Sequence, residues 1–341
     1  MRLTLLGTGG AAQVPVYNCS CPACRAAQLD PNRRRRACSA LVECGEQRWL
    51  LDSGLADLCE RFAPGSFSGI LQTHYHADHA QGLLQLRWGT GLRIPVHGPD
   101  DPDGLADLYK HPGILDFSEP FAAFEQRMLG TLRVTALPLV HSKPTFGYLL
   151  EGHGRRTAYL TDTVGLPDST RQLLQDTALD VLVLDCSTPP RDTPPRNHND
   201  LTRALQSIEE LQPAQAVLTH IGHELDAWFM QAPRELPGNV RLAHDGMMLW
   251  RCSDNGNAVF GERDETAVGP LVTRGKRCAV FHPTSTNRWR WRWRWRWRWR
   301  WRWDRRVDNA KLIHHGSVAR RNVGQGLRRV ENASRFSTLR P

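Results

Sequence analysis

The stretch Thr73-His74-Tyr75-His76-Ala77-Asp78-His79 follows the short apolar run Gly69-Ile70-Leu71. A buried strand that ends in a tight polar loop can aim several imidazoles and a carboxylate into one cavity, which is how a rigid scaffold presents metal ligands. Partners for this loop lie downstream: His141 follows Leu139-Val140, Asp162 follows Ala158-Tyr159-Leu160-Thr161, and His220 follows Val217-Leu218-Thr219. Each stands at the end of an apolar run, where α/β sheets tend to hold their sites. A lone histidine in such a place is more often a hydrogen-bonded core or surface residue. Together with His74, His76, Asp78 and His79, however, these three complete a donor set large enough for two divalent ions. Two ions about 3.5–4 Å apart lower the pKa of a shared water and neutralise a phosphodiester under in-line attack. Nitrogen and oxygen donors suit Mn²⁺, Zn²⁺, Ni²⁺ or Fe²⁺ alike.

On either side of this loop, strand-length apolar runs recur at 2–6, 41–44, 49–51, 94–97, 132–136, 146–150, 157–160, 181–184, 216–218 and 247–250. Helix-length segments sit between some of them, at 78–87, 101–109, 168–175, 200–211 and 224–230. Several open with an aspartate able to cap or favour the first turn. Strands with interspersed helices imply a layered α/β arrangement, without choosing among α/β folds.

Charge is uneven along the chain. Residues 1–250 carry 22 Lys+Arg and 28 Asp+Glu, a net of −6, whereas 251–341 carry 22 and 7, a net of +15, together giving the overall +9. The positive charge belongs to the tail, so no nucleic-acid partner is expected for the body. No run of about 18 apolar residues occurs, so no membrane span is expected and a cytoplasmic location is the default. Of nine cysteines, Cys19, Cys21 and Cys24 fall too close together for an ordinary disulfide framework. They read as three thiolates of a closed metal site that needs a fourth ligand. Cys38, Cys44, Cys59, Cys186, Cys252 and Cys278 show no pattern and read as core or incidental residues. Residues 288–303 are eight consecutive Arg-Trp dipeptides. In an extended strand they would offer a tryptophan face to a membrane surface or to unpaired bases. A perfect two-residue repeat is also what a translated six-nucleotide DNA repeat gives. The 251–341 segment is therefore expected to be a basic low-complexity extension, disordered or a frameshift product, outside a 1–250 domain.

The chain also carries Gly7-Thr8-Gly9-Gly10, Leu51-Asp52-Ser53-Gly54, Lys110-His111-Pro112-Gly113, His141-Ser142-Lys143, Thr161-Asp162-Thr163, Pro195-Arg196-Asn197-His198 and Leu218-Thr219-His220-Ile221-Gly222-His223. With the metal loop, these motifs resemble the metallo-β-lactamase superfamily. With the cysteine cluster and the Arg-Asn-His segment, they resemble the phosphoribosyl 1,2-cyclic phosphate phosphodiesterases (PhnP) of the bacterial carbon–phosphorus lyase pathway. The resemblance implies a metallo-β-lactamase αββα sandwich, two mixed β-sheets flanked by helices, over residues 1 to about 250. It places His74, His76 and His141 on one metal, Asp78, His79 and His220 on the other, and Asp162 as a bridge. It counts Asp78 with His198 as catalytic, His198 donating to the transition-state oxygens or acting as general acid. It assigns His223 as the fourth ligand of a structural Zn²⁺ with Cys19, Cys21 and Cys24. It also tilts the catalytic pair towards Mn²⁺, with Zn²⁺ or Ni²⁺ as alternatives.

The implied partner is a small phosphorylated ribose, hydrolysed from 5-phosphoribosyl 1,2-cyclic phosphate to ribose 1,5-bisphosphate in phosphonate catabolism, and the resemblance is compatible with a homodimer. Arg196, Lys143 and arginines 33–36 are candidates to neutralise a second phosphate, although solvation is the commoner fate of such side chains. Three alternatives stand beside this reading. An RNA 3′-processing nuclease shares the metal loop and phosphate-facing histidine but needs a basic exosite. A binding protein could act on nucleic acid or membrane through the Arg-Trp tail. The cofactor-biosynthesis branch has the cysteine finger but a degraded metal loop, against which the intact 74–79 set argues.

Overall fold

Val181-Leu182-Val183-Leu184 has no polar side because both of its faces are covered: Val181 and Val183 pack between two sheets, Leu182 and Leu184 under helices. The computed structural model describes residues 1–249, Pro194 and Pro233 excepted; the Arg-Trp repeat and the rest of 250–341 lie outside the described residues. In chain order the elements are β1 (Arg2–Gly7), α1 (Pro22–Leu29), β2 (Ser39–Cys44), β3 (Gln47–Leu51), α2 (Leu58–Arg61), β4 (Gly69–Leu71), α3 (Ala77–Leu86), β5 (Ile94–His97), α4 (Ala106–Lys110), β6 (Leu115–Asp116) and β7 (Gln126–Leu129). They continue with β8 (Leu132–Pro138), β9 (Phe146–Gly152), β10 (Arg155–Leu160), α5 (Asp168–Gln175), β11 (Val181–Asp185), α6 (Leu201–Leu211), β12 (Gln215–Thr219), α7 (His223–Gln231), β13 (Val240–Leu242) and β14 (Met247–Leu249).

One sheet has the order β14-β1-β2-β3-β4-β5-β6 and the other β13-β12-β11-β10-β9-β8-β7. Both are mixed: β3 to β6 and β10 to β13 run parallel, and their remaining neighbours pair antiparallel. Leu3, Val42, Trp49, Val134, Tyr148 and Val183 meet between the sheets. Outside the first sheet Leu50 and Ile70 pack with Leu58 and Leu83 of α2 and α3; outside the second Leu184 and Leu218 pack with Leu174, Ile208 and Leu225 of α5, α6 and α7. The result is the helix–sheet–sheet–helix layering expected from the resemblance. Each fully buried leucine contributes about 1.5–3 kcal/mol of transfer free energy, so the layers are held by side-chain burial rather than by the short turns.

The expected helix at 101–109 begins only at Ala106, and Asp101 instead turns the preceding loop by accepting from the Asp103 amide at 3.2 Å. Of the aspartates placed at helix starts, Asp200 caps α6, accepting from the Arg203 amide at 2.8 Å. The cap position is His76 in α3 and Pro167 in α5. Sequence reasoning missed α1, which is capped by the Cys21 sulfur rather than by an oxygen side chain. No helix among the described residues is long and apolar enough to cross a membrane.

Candidate metal centre

Leu160↔Leu184 and Leu184↔Leu218 are in register, so Asp162, Asp185 and His220 leave the carboxyl ends of three adjacent parallel strands. Across the sandwich, β3 and β4 end in Asp52 and in the 74–79 loop. Two backbone features let these ends converge. Asp52 and His220 take left-handed φ angles of 61° and 57°, which turn their side chains out of the strand direction. Gly54 passes so close to the metal loop that a Cβ there would lie 2.0 Å from the carbonyl oxygen of Asp78.

Hydrogen bonds to the far ring nitrogens fix the tautomers. The Asn197 carbonyl can only accept, so His141 carries its proton on Nδ1, 3.0 Å away, and turns the Nε2 lone pair inward. Thr73 donates to Asp52 and accepts from His74 Nδ1 at 3.0 Å, with the same effect. Both inward nitrogens meet His76 Nδ1, at 2.9 Å for His74 and 3.0 Å for His141. Burial holds all three rings below the ordinary histidine value, His74 most strongly, so they are neutral. Three nitrogens with at most one proton among them form a cation site in waiting.

The second group is Asp78, His79, Asp162 and His220. His79 Nδ1 donates to Asp52 at 2.8 Å, leaving Nε2 buried without a hydrogen bond, 3.2 Å from Asp162 Oδ2 and 3.5 Å from Asp78 Oδ2. His220 Nδ1 is held at 2.9 Å by Ser187, and its Nε2 lies 3.4 Å from both Asp78 Oδ2 and Asp162 Oδ1. Asp162 Oδ2 also lies 3.7 Å from His74 and 3.8 Å from His141, which puts this carboxylate between the two groups. Burial opposes charge on His79, but Asp162 and Asp52 outweigh it and raise the ring well above its usual range. The only described ion-pair partners of buried Asp52, Asp162 and Asp185 and of half-buried Asp78 are histidines. An interior with this excess of negative charge fits divalent cations on these donors, since unpaired buried carboxylates are costly.

His198 stands beside the centre, its ring stacked on His220 with centroids 4.5 Å apart and its Nδ1 3.0 Å from Asp185 Oδ2. Burial lowers its proton affinity, but the Asp185 hydrogen bond and charge, with Asp162 behind them, raise it to about 9. Neighbouring cations would draw that value back towards neutrality. Asp185 was not singled out from sequence, and Asp52 entered only within the Leu51-Asp52-Ser53-Gly54 motif, with no role given. Each ends an apolar run as Asp162 does, but that signal is too common on its own to mark them. Asp52 orients His79 directly and His74 through Thr73. Asp185 orients His198 directly and His220 through Ser187.

The structure brings Cys19, Cys21, Cys24 and His223 together as a separate group. His223 Nδ1 lies 3.4 Å from both Cys19 and Cys21, while Cys24 sits buried at the first turn of α1. Three sulfurs and an imidazole match a closed tetrahedral zinc site, joining the 9–24 loop to the first turn of α7. Cys21→Ser is expected to release one tightly held Zn²⁺ and to lower the thermal midpoint before it changes turnover. Elemental analysis beside a melting curve checks this, and a wild-type protein with no zinc beyond the catalytic pair would overturn it. Cys38, Cys44 and Cys186 are buried and Cys59 is exposed; Cys252 and Cys278 lie outside the described residues.

Most of the basic candidates for a second phosphate are engaged elsewhere. Lys143 Nζ lies 3.4 Å from Asp101 Oδ2 and from the carbonyls of Asp103 and Gly104. Arg33 lies by Asp30, Arg34 donates to the Ala27 carbonyl, Arg35 clasps Asp226 and Arg36 pairs with Asp57. Each of these has a partner close to its own loop. Arg196 is exposed.

Residues 55–221 match the family described as Beta-lactamase superfamily domain. This match and the likeness to the solved structures below identify the fold as that of the metallo-β-lactamase superfamily. A solved diphosphatase from the PhnP family is 28% identical, with a TM-score of 0.61 over 73% of this chain and 97% of that one. Zn²⁺-bound PqqB from Methylobacterium extorquens, 19% identical, shares the fold with a TM-score of 0.60 over 74% of this chain and 100% of its own. Among curated proteins, coenzyme PQQ synthesis protein B of Rhodopseudomonas palustris is 28% identical over 110 residues. The match spans 28% of this chain and about a third, 36%, of the relative. Ribonuclease Z of Picosynechococcus is 26% identical, covering 72% of this chain and 89% of the relative.

Proposed function

We propose that this protein is a dinuclear metal-dependent phosphodiesterase that opens 5-phosphoribosyl 1,2-cyclic phosphate to ribose 1,5-bisphosphate, as a step of phosphonate catabolism. The observation that carries the reading is Asp162 lying between two complete donor groups with His198 held alongside. The likeness to a PhnP-family diphosphatase, over 97% of that chain and 73% of this one, supports the same branch. His74, His76 and His141 would hold one ion and Asp78, His79 and His220 the other, with Asp162 shared. Manganese is favoured, and zinc or nickel suits the same donors. When bound, the pair supplies an activated water and neutralises the scissile phosphate. His198 donates a hydrogen bond from Nδ1–H to Asp185, so a protonated ring presents Nε2–H as its free donor. As the bond from phosphorus to the ribose 2-oxygen breaks, that proton passes to the leaving oxygen. Asp185 keeps the ring oriented and stabilises its positive form.

The similarity to ribonuclease Z makes RNA processing the competing reading. A body with a net charge of −6 over residues 1–250 has little with which to hold a polyanion. Turnover of a panel comprising the ribose cyclic phosphate, bis(p-nitrophenyl) phosphate and precursor tRNA, with metal analysis of the same sample, tests the proposal. The cyclic phosphate should be cut far better than RNA at physiological salt. Equal efficiency on precursor tRNA would favour the nuclease.

A further inference from the structure

We propose that Arg196 is the residue that selects a substrate bearing a second anionic group, by pairing with the phosphate that is not cut. This rests on the phosphodiesterase reading above. His198 is carried by a loop closed at its neck, where the Ser187 amide meets the Asn199 carbonyl at 2.9 Å and the Leu201 amide meets the Thr188 carbonyl at 3.0 Å. Its far side is pinned to the metal centre by the Asn197 carbonyl on His141. Pro189, Pro190 and Pro195 limit what the loop can do when free, so less conformational entropy is lost on binding. Arg196 lies between the last of these prolines and Asn197, two residues before His198.

The loop's other arginine, Arg191, is taken by Glu224. Among the basic residues singled out from sequence, Lys143 and arginines 33–36 all have partners. Arg196 alone of that set is exposed with no partner among the described residues. Charge balance calls for such a group. Two divalent ions would be offset by Asp52, Asp78, Asp162 and Asp185, leaving nothing inside to meet a further phosphate. A planar guanidinium on the loop that carries His198 can clasp a phosphate with two parallel hydrogen bonds.

The test compares wild type, Arg196→Gln and Arg196→Lys on three substrates: the 5-phosphorylated ribose cyclic phosphate, the same compound without its 5-phosphate, and bis(p-nitrophenyl) phosphate. For Arg196→Gln, KM on the doubly phosphorylated substrate should rise roughly ten-fold or more, since a hydrogen bond to a charged group is worth that much even when partly exposed. Its kcat should fall far less than its kcat/KM, and the loss on the two singly charged substrates should be at least several-fold smaller. Arg196→Lys should fall between, keeping the charge without the fork. Equal losses on all three substrates, or a wild-type preference for the 5-phosphate that survives Arg196→Gln, would overturn this inference alone. A wild-type enzyme with no preference for the 5-phosphate would overturn both it and the phosphorylated-ribose reading.

Discussion

Asp162→Ala is expected to lose bound metal and phosphodiesterase activity together, with kcat/KM down by about a thousand-fold or more. The carboxylate faces His79 and His220 on one side and His74 and His141 on the other, all within 3.8 Å. On the proposed assignment, its removal would take one ligand from each ion and the negative charge that would let two cations sit close together. It also leaves His79 Nε2 with only Asp78 to face among the carboxylates. Elemental analysis of the purified variant, run beside bis(p-nitrophenyl) phosphate turnover, decides the matter. Wild-type activity in a metal-depleted Asp162→Ala protein would sink the two-metal mechanism.

His198→Ala should behave in the opposite way, keeping its full metal content while kcat falls by roughly 10²–10⁴. His198 uses Nδ1 on Asp185 and stacks on His220 without replacing any nitrogen that faces Asp78 or His76. A general acid matters most for a poor leaving group. The loss should therefore be larger on the ribose cyclic phosphate, which expels a sugar hydroxyl, than on bis(p-nitrophenyl) phosphate, which expels a stable phenolate. A variant that sheds metal, or loses equally on both esters, would move His198 from proton donor to structural support.

The residues that touch the centre were legible because each follows an apolar run, and the strands place those run ends side by side. What orients them was not. The acceptor for His141 is a backbone carbonyl at Asn197, and every residue carries one, so no letter in the sequence marks it. Asp52 and Asp185 act one hydrogen bond away from the ligands and lack the clustering that made the 74–79 loop conspicuous. Lys143 looked available because it is two residues from His141. Only the fold reveals that the 101–104 loop lies within its reach. Strands β7 and β13 were overlooked for a related reason. They close the two edges of one sheet, where a run can be short and half polar and still find a partner.

The ends of both sheets contribute to a single cluster, and this bears on how the protein is made. His74, His76, Asp78 and His79 come from the first sheet and His141, Asp162 and His220 from the second, with a sequence separation of 146 between the outermost of them, 74 and 220. Neither half of a growing chain can assemble the centre. Tight metal capture must wait until the sandwich has closed, a late event in a topology so dependent on distant contacts. Ions bound there would then act as a latch on a finished product, slowing its opening more than they speed its formation. A cell short of the right metal would accumulate chains that have folded but not locked, and proteases would find those first.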